Sequence, residues 1–134
     1  KKPFITSPTN CNMSLLSNQA IEFRRAYNIP NDLSRRTLQK NLIVEEFKEF
    51  LEADLNMALM HPPDREACLK ELADLIYVCA QYAENMDWDI EQALRRVHKS
   101  NMSKLGEDGK PVKRKDGKVL KGPNYKPPDL SDLV

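Results

Sequence analysis

ELADLIYVCAQYA, residues 71–83, decides the fold. It holds no Pro or Gly and is rich in Leu, Ala and aromatic side chains, so it reads as a helix. Leu72, Ala73, Leu75, Ile76, Tyr77, Val78, Cys79 and Ala80 leave it apolar around almost its whole girth, the pattern of a central, buried helix. Yet Glu71 and Asp74, at i and i+3, project together from one side of it. A carboxylate buried there is costly unless something compensates its lost hydration.

The helix before it, spanning roughly 33–60, poses the same problem. Val44, Phe47, Leu51 and Leu55 make its main apolar stripe. In VEEFKEFLEAD (44–54) the acids do not share one face. Glu45 and Glu52 group with Asn41 and Lys48 on a sector that reads as solvated. Glu46 and Glu49 lie instead between Leu42 and Ala53, on a partly apolar face. The connection from Leu59 to Asp64 is short, so the two helices are expected to be antiparallel neighbours. Four carboxylates then converge, and cations are the simplest remedy for their repulsion. Oxygen ligands without Cys or His favour Mg²⁺ or Mn²⁺ over zinc. The alternative is pairing with Arg24, Arg35, Arg36 or Lys40. A di-iron bundle would need Glu-x-x-His on two helices, but Ala58 and Arg95 stand three residues before His61 and His98.

Two further helices are expected. One spans 14–28, with Leu16, Ala20, Phe23 and Tyr27 on one face, and Pro30 breaks it. The other spans 89–105, with Asp89 as N-cap, Gln92 as its capping-box partner, and Gly106 as the stop. The expected fold is all-α: one domain, residues 1–134, forming an antiparallel four-helix bundle over about 14–105 with an extended basic arm or small hairpin over 106–134. Residues 1–12 read as irregular. In KRKDGKVLK (113–121) an Asp-Gly pair sits between short basic segments, the signal for a tight turn. No internal repeat is registered.

The net charge of +1 is unevenly spread: residues 1–94 carry −5 and residues 95–126 carry +8. An acidic body with a basic C-terminal third suggests metal on one side and phosphate on the other, or merely solvated faces that segregate. No stretch of about 18 apolar residues exists to span a membrane. The first residues of the sequence show no basic-then-apolar stretch, so a signal segment is not expected among them. The odd cysteines Cys11, Cys68 and Cys79 fit a reducing, cytoplasmic setting, a host's cytoplasm if the protein is viral.

EEFKE (45–49) followed by ELAD (71–74) resembles the E-E-x-x-E … E-x-x-D signature of the all-α nucleoside triphosphate pyrophosphohydrolases. VHKSNMSKL (97–105) and EDGKPVKRKDGKVLKGPNY (107–125) are similar to the short, single-domain MazG-like members of that superfamily, which also holds all-α dUTPases and HisE-type enzymes. The resemblance implies that Glu46, Glu49, Glu71 and Asp74 are Mg²⁺ ligands, with Mn²⁺ as a substitute; Glu45 matches the first Glu of the motif, but its outward helical face keeps it from direct metal contact. It implies cleavage of a nucleoside triphosphate to monophosphate and pyrophosphate by a homodimer or homotetramer.

Glu46 or Glu49 would activate the attacking water. Asn101, on the stripe of Ile90, Leu94, Val97 and Leu105, turns an amide inward, either as a core Asn bonded to backbone or to hold the nucleotide. Lys104 either neutralises phosphate oxygens or satisfies the helix end. Tyr125 packs on a base or on a neighbouring subunit. Lys113, Arg114, Lys115, Lys118 and Lys121 would close the arm over a triphosphate or stay solvated. Neither a nucleophile elbow nor a Gly-rich phosphate loop is present. Phosphoribosyl-ATP is the second candidate substrate. A nucleic-acid-binding module leaves the buried acids unexplained and is disfavoured, and a non-catalytic helical interaction protein is the remaining class.

Overall fold

A computed structural model describes residues 14–134. The irregular segment read for residues 1–12, with Cys11, lies outside the described residues. Regular structure among the described residues is helical, with no strand: α1 is Leu15–Ala26, α2 Arg36–Leu59, α3 Arg65–Asn85 and α4 Ile90–Met102, with 3₁₀ turns at Leu33–Arg35 and Ser131–Leu133. The chain forms two compact units, one up to Ile90 and one from Glu91 to Val134.

In the first unit α2 and α3 pack along their length and α1 packs on α3. Side-chain caps fix two helix starts. Asp64 accepts from the Ala67 N–H at 3.0 Å to open α3, and Asp32 accepts from Ser34 N–H at 3.0 Å to open the turn before α2. That turn takes up the first residues of the helix expected from 33. Asn28, just past α1, sits at φ 55°, a left-handed terminator that Asn tolerates.

The interior differs from the sequence reading. α1 buries Ser17, Asn18, Ala20, Ile21 and Arg24, a face rotated from the expected one, and Tyr27 is exposed. Arg24 is 3% exposed. Its guanidinium donates to Asn31 Oδ1, Gln39 Oε1, Gln81 Oε1, Asn85 Oδ1 and the Pro30 carbonyl at 2.8–3.4 Å. Burial lowers its pKa, but five acceptors from α2, α3 and the 28–32 loop satisfy it.

α3 is buried toward its C-terminal end, through Ala80, Gln81, Ala83, Glu84 and Asn85. It is not the centrally buried helix expected, because Leu69, Leu72 and Ile76 are exposed in the chain. The expected main stripe of α2 is likewise on the surface. Asn41, Glu45, Lys48 and Glu52 are exposed, where the helical wheel places them.

In the second unit, α4 ends at Met102, short of the expected 105. The tail then makes two Asp-Gly turns of the same design, eight residues apart. Gly109 N–H donates to the Gly106 carbonyl and Gly117 N–H to the Arg114 carbonyl, each at 2.9 Å. Asp108 and Asp116 each accept from the backbone N–H two residues on. Gly109 and Gly117 take φ of 75° and 88°. DGKPVK (108–113) and DGKVLK (116–121) are thus a short duplication that the sequence reading missed. One isolated antiparallel bridge, Lys113 to Val119, joins the arms of the second turn. Arg96 ties the chain end to α4 through both oxygens of Asp132 and the Asp129 carbonyl.

Candidate functional site

The i, i+3 spacing of Glu46 and Glu49 turns both toward α3, and Glu71 faces them from that helix. One carboxylate oxygen from each of Glu46, Glu49 and Glu71 lies within 4.8 Å of the other two, and all three residues are half-buried. Glu46 Oε2 is buried and has no hydrogen-bond partner. An anionic oxygen in that state is destabilised. Burial first, then the charges of Glu49, Asp74 and Glu71, raise the Glu46 carboxyl above the ordinary glutamate value, with Lys70 opposing in part.

Asp74 stands beside this group rather than in it. Lys70 Nζ bonds Asp74 at 2.8 Å and Glu71 at 3.2 Å. The hydrogen bond from Lys70 leads the effects that hold the Asp74 carboxyl below the usual aspartate range, and both acids push the Lys70 ammonium upward. So a lysine does stand among the acids, as the alternative reading required, but it is none of the four cations that reading named. Lys70 is 67% exposed, touches one edge only, and offsets one of four negative charges. Among the described residues no ion pair joins Arg24, Arg35, Arg36 or Lys40 to the acids. The local signal for Lys70 was present in the sequence: it precedes Glu71 by one residue and Asp74 by four.

A cleft of about 340 Å³ opens onto the group, walled by Glu49, Glu52, Asn56, Met60, Asp64 and Glu71. Glu45 is exposed, on the outer sector of α2. An acid-lined cleft with hard oxygen donors can hold a hard divalent cation and position a water beside a carboxylate.

In the second unit Asn101 is exposed, contrary to the expected inward amide. Asn101 lies within α4 and keeps its place on the stripe, but that face is open, with Leu94 47% exposed. Exposure also removes the core-Asn alternative and leaves the amide available. Lys104 and Tyr125 are half-buried, and Lys121 Nζ sits 4.8 Å from the centre of the Tyr125 ring.

Residues 16–101 match the family described as PRA-PH, phosphoribosyl-ATP pyrophosphohydrolase. The match covers well over half of the chain and includes all four acids. No curated protein matches the chain.

Proposed function

The chain belongs to the phosphoribosyl-ATP pyrophosphohydrolase family, hydrolases acting on a nucleotide phosphoanhydride, and from that premise we propose that it cleaves nucleoside triphosphates at the α–β bond to monophosphate and pyrophosphate. Within the superfamily the proposal is the short MazG-like type, with the helices in an antiparallel four-helix bundle. The observation that carries it is the convergence of Glu46, Glu49 and Glu71 with Glu46 Oε2 left without a partner. Phosphoribosyl-ATP is the second reading, and the family match favours it equally.

The donor set fits Mg²⁺, or Mn²⁺ in its place: it is all oxygen, net negative, and holds a buried carboxylate oxygen that no protein group satisfies. Glu46, Glu49 and Glu71 would hold the ion, with Asp74 joining as it exchanges Lys70 for the metal. When bound, such an ion screens phosphate charge and favours departure of pyrophosphate. Glu46 accepts a proton from water that Glu49 orients. The water oxygen bonds to the α-phosphorus, the bond to the bridging oxygen breaks, and pyrophosphate leaves with that oxygen. Lys104 and Asn101 hold phosphate oxygens, and Tyr125 offers a ring to the base.

Lys70 competes with the metal for Glu71 and Asp74. Lys70→Met is therefore expected to tighten Mn²⁺ binding roughly three- to tenfold. Calorimetric titration checks it, and an unchanged or weaker affinity counts against metal binding by these two acids.

A second copy of this chain is the proposed partner, as a homodimer or homotetramer, since apolar stripes on α2 and α3 are uncovered. No helix among the described residues is long and apolar enough to cross a membrane. Cys68 and Cys79 are free thiols, which supports the proposed reducing, cytoplasmic setting.

The test is pyrophosphate release from the Mg²⁺ complexes of the canonical NTPs and dNTPs and of phosphoribosyl-ATP. Metal-dependent release from at least one NTP or dNTP, exceeding that from phosphoribosyl-ATP, is expected. Release from phosphoribosyl-ATP alone selects the second reading. Release from none, with salt-dependent oligonucleotide binding instead, would select the nucleic-acid module.

A further inference from the structure

In the second unit the end of α4 and the tail are fastened together by a set of bonds that the proposed chemistry does not use. Ser100 is buried, and its hydroxyl donates to the Lys126 carbonyl at 2.7 Å. Lys126 N–H donates to the Ser103 hydroxyl at 2.9 Å, and that hydroxyl donates to the Ser100 carbonyl at 2.6 Å. Gly122 N–H donates to the Lys104 carbonyl at 2.9 Å. The approach is so close that a Cβ on Gly122 would collide with the Lys104 and Leu105 carbonyl oxygens, so the backbone pairing requires glycine.

These bonds alternate with the residues assigned to substrate. In SNMSK (100–104) Ser100 and Ser103 form one i, i+3 pair, and Asn101 and Lys104 form another, one residue on. On the tail, Tyr125 immediately precedes Lys126, and Lys121 immediately precedes Gly122. Fixing the serines to Lys126 and Gly122 to Lys104 therefore fixes the register of Lys121 and Tyr125 against the segment that carries Asn101 and Lys104. Without the fastening, a long Lys- and Gly-containing loop would have to be ordered each time substrate bound, at a cost in conformational entropy.

We propose that Ser100, Ser103 and Gly122 are positioning residues for the nucleotide: they clasp the tail to the end of α4 and so preorganise Asn101, Lys104, Lys121 and Tyr125 as one phosphate- and base-binding surface. This rests on the nucleotide hydrolase reading. The clasp acts on binding and leaves the water-activating carboxylates alone, so its loss raises KM and spares kcat.

The experiment is steady-state kinetics of the full chain, with the Mg²⁺ complex of whichever canonical triphosphate or phosphoribosyl-ATP it turns over fastest. Ser100→Ala/Ser103→Ala is expected to raise KM about tenfold with kcat within about threefold of wild type. Gly122→Ala gives the same pattern at least as strongly. Ser103→Thr, which keeps the hydroxyl, holds KM near the wild-type value. In a Tyr125→Ala background the two serine substitutions raise KM by less than they do in wild type, because one of the residues they position is gone. An active wild type whose KM ignores the serine substitutions overturns the clasp alone. A fall in kcat together with the melting temperature makes the serines merely structural and also overturns it. A wild type that releases pyrophosphate from no substrate sinks the hydrolase reading, and the clasp's role with it.

Discussion

Glu46→Gln abolishes pyrophosphate release and yet leaves the metal-free protein slightly more stable than wild type. The loss of activity is expected to be at least about 10³-fold in kcat/KM, because the proposed mechanism gives one side chain both metal binding and proton transfer. The gain in stability follows from the sign of the Glu46 shift. Its carboxyl is raised above 4.5, so the folded state holds that proton more tightly than the unfolded chain does. The stabilisation from this group is complete below the unfolded value and is lost as pH rises through the raised folded value. At neutral pH the ionised group is a liability until a cation arrives, and glutamine removes it. The gain is at most about 1 kcal/mol, because the site is only half-buried and solvent screens it. Thermal melts with EDTA and with Mg²⁺, alongside a pyrophosphate assay, check both outcomes. A Glu46→Gln enzyme within tenfold of wild type would remove this residue from the chemistry.

Leu51→Glu is expected to leave the chain monomeric where the proposed wild-type assembly is a dimer or tetramer. Val44, Phe47, Leu51 and Leu55 are between 45% and 57% exposed along the face of α2 turned away from the acids. Leu69, Leu72 and Ile76 form a matching run on α3. Side chains of this size each gain about 1.5–3 kcal/mol on full burial, so a continuous stripe left in water is a large unused driving force. A second copy of the same stripe is a self-complementary cover under two-fold symmetry. A carboxylate in the middle of that cover has no partner, and the association constant is expected to fall by about 10³ or more. Sedimentation at micromolar concentration checks this: wild type as dimer or tetramer, Leu51→Glu as monomer, with unchanged helical circular dichroism. A monomeric wild type would contradict it.

The helices themselves were legible in the sequence, because Pro30, the His61–Pro63 break and Asp64 are strong local signals. So was the approach of Glu46 and Glu49 to Glu71: helical spacing puts the first two on one face, and the short Leu59–Asp64 connection makes the helices neighbours. What covers a helix was not. The apolar girth of α3 says that something packs around it, and only the coordinates show that its N-terminal half is left open by the rest of the chain. Arg24 illustrates the same limit. It was a candidate partner for the acids, but Asn31, Gln39, Gln81 and Asn85 claim it instead. Gln39, Gln81 and Asn85 sit as polar residues within helices, a signal readable only once their common target is known. Asn101 shares a face of α4 with Leu94, and that face is open in the chain, which periodicity alone does not reveal.

The central claim is that Glu46, Glu49 and Glu71 form one divalent-cation site. Anomalous diffraction from crystals soaked in Mn²⁺ tests it most directly. The account predicts a manganese peak within coordination distance of carboxylate oxygens from all three residues, with Lys70 displaced from Asp74 or Glu71. Crystals in which Lys70 keeps both contacts and manganese binds elsewhere, or nowhere, would contradict it.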